Sequence, residues 1–141
     1  MSKVEALYIS RERNAPMESL QAAQLIENFG LEGDRKAKRG SKRQVLIMPL
    51  EILDKLGIDR GDVRENITIS GFPVMDLTSG QRLQIGQAVL ETTIACAPCD
   101  KMDALRPGLQ EEINGQRGML FRVIQGGTVQ IGDPIHLIDE A

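Results

Sequence analysis

Apolar side chains in this chain come in short bursts, several of them strictly alternating with polar ones, and most bursts end at a glycine-bearing turn. Alternation is the period-two signature of half-buried strands, not the 3.6-residue period of helices. It predicts strands over 4–9, 44–48, 63–70, 82–85, 89–94, 119–124, 128–131 and 135–138, with 44–48 almost continuously apolar. Helical signals are few. Pro49 fits the first turn of a helix running to about Leu56, with Gly57 as its stop. Two short helices over 100–105 and 108–113 are separated by Pro107. The stretch 20–29 reads equally as helix by propensity or as strand by its Leu25-Ile26 pair before a glycine turn.

One segment echoes another. Leu83-Gln84-Ile85-Gly86-Gln87-Ala88-Val89 parallels Val129-Gln130-Ile131-Gly132-Asp133-Pro134-Ile135, with Gly80 and Gly126 at matching offsets upstream. Each reads as strand, tight glycine turn, strand, which is a hairpin. Many short strands with few helices predict a mostly β domain, barrel-like or sandwich-like and not doubly wound.

Composition narrows the classes. A chain of 141 residues fits one domain over 1–141 with a real core, and 41% hydrophobic against 26% charged residues is globular composition. Aromatic residues make up 3% and tryptophan is absent, so that core is aliphatic. A net charge of −3 gives no general attraction for nucleic acid. No apolar run has the length of a membrane helix and the N-terminus has no signal-peptide pattern; two cysteines make no disulfide framework. A cytoplasmic setting is expected.

Those two cysteines close the segment Cys96-Ala97-Pro98-Cys99, in a chain whose only histidine is His136. The pair can be part of a metal site, a redox couple or a sulfur carrier. A closed structural zinc site needs about four ligands, which two thiols and a distant histidine do not supply. A thioredoxin-like couple sits in a βαβ unit, a pattern not seen here. Cys96 ends a predicted strand, while Cys99 opens a possible helix, where the thiolate form is favoured. Free cysteine is also a common buried residue, a role open to Cys96 more readily than to Cys99.

Two further segments carry candidate chemistry. Residues 35–43 hold six cations, Arg35, Lys36, Lys38, Arg39, Lys42 and Arg43, after the turn Gly30-Leu31-Glu32-Gly33-Asp34. Without interleaved aromatics this is no platform for single-stranded nucleic acid. It suits a small anionic ligand touched by one or two of the side chains, or else it is a solvated loop. In 63–70, strand alternation places Arg64, Asn66, Thr68 and Ser70 on one polar face. It leaves Glu65 among apolar neighbours, where a carboxylate needs a cation or the wet end of the strand.

Taken in order, Gly30-Leu31-Glu32-Gly33-Asp34-Arg35, Arg43-Gln44-Val45, Gly61-Asp62-Val63-Arg64-Glu65-Asn66-Ile67-Thr68, Pro98-Cys99-Asp100-Lys101-Met102, Arg117-Gly118-Met119 and Ile131-Gly132-Asp133 resemble the MOSC domain family, named for the C-terminal domain of molybdenum cofactor sulfurase. Each piece alone is weak; the ordered set spans nearly the whole chain. The resemblance implies a strongly twisted β-barrel with a few helices, here as a stand-alone domain. It implies binding of the molybdenum cofactor (molybdopterin), with Cys99 carrying sulfur as a persulfide or ligating molybdenum. Arg35, Arg43 or Arg117 would receive the cofactor's phosphate, Arg64 and Asn66 would read the pterin or oxo groups, and Asp34 would orient one of the arginines. In fused sulfurases of the family a separate pyridoxal-phosphate (PLP) desulfurase domain delivers the sulfur; no PLP site is found in this chain, so a cysteine desulfurase would be a partner. In amidoxime-reducing relatives the matching cysteine holds the metal, and here the electron-transfer protein would likewise be a separate chain. A sulfur carrier, a molybdenum-dependent reductase of N-hydroxylated compounds and a non-catalytic pterin-binding module are therefore the three alternatives. Many relatives carry histidine after the Gly-Asp-Arg turn where this chain has Lys36, which keeps a positive charge but does not titrate near neutrality in the same way.

Overall fold

The computed structural model describes residues 1–138. Eleven strands run in chain order: β1 (Lys3–Ile9), β2 (Glu18–Leu20), β3 (Ala22–Ile26), β4 (Gly30–Leu31), β5 (Val45–Pro49), β6 (Ile67–Ser70), β7 (Arg82–Ile85), β8 (Ala88–Ala95), β9 (Met119–Gln125), β10 (Gly127–Gln130) and β11 (Ile135–Ile138). Three short helices join them: α1 (Leu50–Leu56), α2 (Lys101–Leu105) and α3 (Leu109–Glu112). A 3₁₀ turn covers Val74–Asp76. Eight strands form one sheet in the order β11-β7-β8-β9-β5-β6-β1-β2, and β10-β3-β4 form a second. All pairings are antiparallel except β5 with β6. That parallel step needs a crossover, and α1 lies within it.

The apolar run at 45–49 is explained by this topology. β5 is buried at every position. Val45 and Ile47 enter the main core with Leu7, Leu25, Ile67 and Phe121. On the opposite face Met48 packs with Leu53, Leu56, Met102, Leu109 and Ile113 beneath the three helices, and Leu46 packs with Cys96 and Leu120. α1 begins after Pro49 and ends at Gly57, which takes the left-handed conformation at φ 69° as the sequence predicts.

Three expectations change. The sheets do not close into a barrel: β11 and β2 are the ends of the large sheet. The start of the chain is tied to the segment before and at β11, where Val4 N–H bonds Asp133 O, Gly132 N–H donates to Val4 O, and Ser2 Oγ donates to Ile135 O. The two echoed segments also part ways. β7 and β8 make the expected two-residue hairpin, Ile85 facing Ala88. The second copy sends β10 to β3 and β11 to β7, in different sheets. Pro134 stands where the first copy has Ala88 and cannot donate the amide that a hairpin pairing needs, while the Asp133 carboxylate accepts from Gln130 N–H and bends the chain away. The ambiguous stretch 20–29 is strand, β3.

The third change concerns 63–70, where only Ile67–Ser70 is strand. Residues 61–66 form a turn in which Arg64 N–H bonds Gly61 O and Arg64 sits at φ 64°. Glu65 is fully buried. Among the described residues it has neither a cation in contact nor a wet strand end: its Oε2 accepts from Gly61 N–H (3.1 Å) and the Thr68 hydroxyl (2.7 Å), and Oε1 has no partner there. Burial lifts its pKa above the ordinary carboxylate range, against the Gly61 and Thr68 hydrogen bonds and the nearby positive charge of Arg117.

Candidate functional site

The polar residues of 34–66 fold into a buried network that joins four segments. Asp34 Oδ1 accepts Ser10 N–H at 2.9 Å, and its Oδ2 accepts Asn66 Nδ2 at 3.2 Å. Asn66 also donates to Tyr8 O and accepts Leu46 N–H. Arg64 donates to Ser10 Oγ at 2.9 Å and to Ala15 O at 2.8 Å. The network holds the loop after β1, the turn before β6 and the start of β5 in one arrangement. It also offsets the roughly 1–2 kcal/mol that a non-glycine residue costs in the left-handed region.

A second group comes from the other side, where β8 ends and β9 begins. Gly118 lies at φ 110°, and a Cβ there would stand 2.9 Å from Leu46 Cδ1 and 3.0 Å from Ile47 O. Only glycine lets the strand start so close to β5. Its carbonyl accepts Cys96 N–H at 2.9 Å, fixing the end of β8, while Arg117 just before it is carried inward to 6% exposure. The Nε and NH1 of Arg117 are sealed from solvent and have no partner among the described residues. Buried polar groups are almost always bonded, so an exception on a charged side chain calls for a cause.

Between the two groups lies a cleft of about 360 Å³ lined by residues that include Lys36, Arg43, Arg64, Lys101, Arg117, Cys96 and Cys99. Five cationic side chains and one acid, Asp62, face it, in a chain whose net charge is −3. Lys36 is exposed as a residue, yet its pKa is drawn below the usual lysine range. The first cause is burial of its ammonium and the second the Arg64 guanidinium; Asp34 opposes, and Arg117 and Lys101 add to the lowering. Such a concentration of positive charge attracts an anion. Cys99 is exposed and Cys96 buried, both as free thiols, and Arg43 reaches Cys96 Sγ at 3.9 Å. α2 has only five residues, so the cleft's positive charge comes from side chains and not from a helix dipole. No group of three or more His, Cys, Asp or Glu residues able to hold a metal occurs among the described residues.

Residues 34–136 match the family model of the MOSC domain. The chain belongs to the MOSC domain family. Three solved structures share the fold. The YuaD protein from Bacillus subtilis is 23% identical with a TM-score of 0.79, over 100% of this chain and 98% of that one. YiiM from Geobacillus stearothermophilus is 19% identical with a TM-score of 0.77, over 99% and 76%. YiiM from Escherichia coli is 18% identical with a TM-score of 0.71, over 99% and 71%. No curated protein matches the chain.

Of the residues singled out in this MOSC sequence, Cys99, Arg43, Arg64 and Arg117 line the cleft. Asp34 and Asn66 lie behind it in the network, and the hydrogen bonds of Asp34 go to Ser10 and Asn66 instead of an arginine. Arg35 does not line the cleft; its backbone N–H bonds Ser10 O. Two of the six cations at 35–43, Lys36 and Arg43, line it. Ser10 and Lys101 emerge from the structure. Lys101 stands within the Pro98–Met102 motif, where its charge is the signal; Ser10 carries no signal in the sequence. The donor set fits the family's cofactor, an anionic pterin with a thiophilic metal: an unpartnered buried guanidinium, surrounding cations and one exposed thiol. No helix among the described residues is long and apolar enough to cross a membrane.

Proposed function

We propose that this MOSC domain binds the molybdenum cofactor in the basic cleft and carries sulfur as a persulfide on Cys99, working with a separate PLP-dependent cysteine desulfurase. The observation that carries the proposal is Arg117, held in the cleft wall with Nε and NH1 buried and unpartnered. An anion supplies the counter-charge and the acceptors that this guanidinium lacks, and arginine receives a phosphate bidentately. Arg43, Lys36 and Lys101 add to the same potential. When bound, the cofactor supplies a phosphate anion and a soft metal centre for which Cys99 is the matching ligand. The thiolate of Cys99 attacks the outer sulfur of a desulfurase persulfide: a new S–S bond forms on Cys99, the donor's S–S bond breaks, and the donor cysteine leaves as thiolate. The exposure of Cys99 allows that approach. Arg64, already committed to Ser10 and Ala15, shapes the wall opposite.

The test compares wild type with Cys99→Ser, both made in molybdopterin-competent cells, by metal analysis and intact-mass spectrometry before and after exposure to a desulfurase and cysteine. One added sulfur on wild type, absent from Cys99→Ser, is expected. Stoichiometric molybdenum without a persulfide, together with turnover of N-hydroxylated compounds, would replace the carrier role by the reductase alternative. A bare thiol with neither metal nor persulfide would overturn the Cys99 assignment.

A further inference from the structure

The carrier role leaves Cys96 unused, although it lines the same cleft as Cys99. It is buried at 7% exposure with Leu46 and Leu120, while Cys99 is exposed. Its position is fixed: Cys96 N–H bonds Gly118 O at 2.9 Å, and Arg43 NH2 points a charged donor at its sulfur, 3.9 Å away. Cys99, by contrast, is held on the far side of a two-residue link. Ala97 N–H donates no hydrogen bond among the described residues, and Pro98 has no amide hydrogen. A disulfide needs Cα atoms about 4.4–6.8 Å apart, against up to about 10 Å for a fully extended i to i+3 span. Closing the disulfide gives up the weak hydrogen bond that Cys96 Sγ donates to Ala97 O at 3.8 Å.

Resting on the proposal that Cys99 carries sulfur, we infer that Cys96 is the resolving thiol, which discharges the Cys99 persulfide as hydrosulfide inside the basic cleft. The Cys96 thiolate attacks the Sγ of Cys99 in Cys99–S–SH. The Cys96–Cys99 S–S bond forms, the bond between Cys99 Sγ and the terminal sulfur breaks, and the terminal sulfur leaves with its proton and the electron pair as HS⁻. The two thiols are oxidised together, and the sulfane sulfur is reduced to sulfide. A dithiol reductant restores both thiols and is itself oxidised to a disulfide. The division of labour matches the geometry. The exposed thiol meets a donor protein, and the buried thiol beside Arg43 acts only from within. The leaving HS⁻ appears among Lys36, Lys101 and Arg117, where an anion is stabilised and where an acceptor would be bound.

The experiment loads the full chain with inorganic polysulfide, removes the excess, and follows intact mass without reductant together with released sulfide. Wild type is expected to gain one sulfur, then lose it and two hydrogens as sulfide appears in equal amount. Cys96→Ala and the size-preserving Cys96→Ser should keep the added sulfur at least about tenfold longer and form no intramolecular disulfide. Arg43→Gln should slow the discharge several-fold. Persulfides that decay equally in wild type and both Cys96 variants, without a disulfide, would overturn the resolving role and leave Cys99 as a carrier. Failure of Cys99 to load in any of the proteins would overturn both.

Discussion

Arg64 and Arg117 face the same cleft from opposite sides and differ in every other respect. Arg64 holds a left-handed backbone conformation, and its guanidinium is satisfied by Ser10 and Ala15. Arg117 has its backbone fitted against β5 by Gly118 and a guanidinium with two buried, unpartnered nitrogens. The first wall is complete within the chain; in the second, Arg117 Nε and NH1 have no partner among the described residues, which is where the proposed function seats an anion. The contrast teaches how a binding wall can be distinguished from a supporting one in the absence of a ligand: by where hydrogen bonds are missing, not by where polar residues are found. A buried unpaired charge costs folding free energy, and a site that retains one has placed that cost where binding recovers it.

The comparison is broken most directly at Asn66. Its amide satisfies Leu46 N–H, Tyr8 O and Asp34 together, so Asn66→Ala strands three buried groups, one of them a carboxylate. A loss of about 3–4 kcal/mol is expected by urea denaturation. Binding of a test anion should weaken only as far as the fold does. A loss below about 1 kcal/mol would show that this wall is not held by its network.

Arg117→Met sharpens the contrast because the opposite sign is expected. The methionine keeps much of the apolar stem and removes a desolvated charge, so the ligand-free protein should gain about 1–2 kcal/mol. Inorganic phosphate should raise the stability of wild type by mass action and leave the variant unmoved. Destabilisation by about 3 kcal/mol would mean that Arg117 is paired after all and that the two walls are alike.

How much of this was legible in the sequence follows the same division. Period-two alternation located β7 and β8, and Pro49 with Gly57 bounded α1, because those signals are local. β2 and β4, three and two residues long, carry no apolar alternation that would mark them as strands. The order of motifs pointed to Cys99, Arg43, Arg64 and Arg117, all of which reach the cleft. The roles within the site were not readable, since they depend on partners far away in sequence. Ser10 lies 54 residues from Arg64, and Asp34 lies 32 from Asn66. The polar strand face expected at 63–70 failed for one physical reason. Glu65 turns back to Gly61 N–H and is buried by its own turn, which puts Arg64 outside strand geometry altogether.

Glu65, buried near the positive charge of Arg117, gives the smallest prediction. Its folded pKa is raised, so the native state holds its proton to higher pH than the unfolded chain does. For a carboxyl shifted in this direction stability is full below the unfolded pKa and falls as pH rises through the folded one. Glu65→Gln keeps an oxygen for Gly61 and Thr68 and cannot ionise, so it should remove that part of the decline. The stability difference between variant and wild type should move in favour of the variant as pH rises from 4 to 8. Lys36 gives an opposite slope, since its folded pKa is lowered and its unfavourable contribution disappears only as pH rises toward the ordinary lysine range. A Lys36→Gln background separates the two. Unfolding free energies whose variant-to-wild-type difference is flat across that range would mean that Glu65 keeps an ordinary carboxylate pKa. The positive potential of Arg117 would then already be met from inside the chain, and the missing partner on that wall would be Glu65 rather than a ligand.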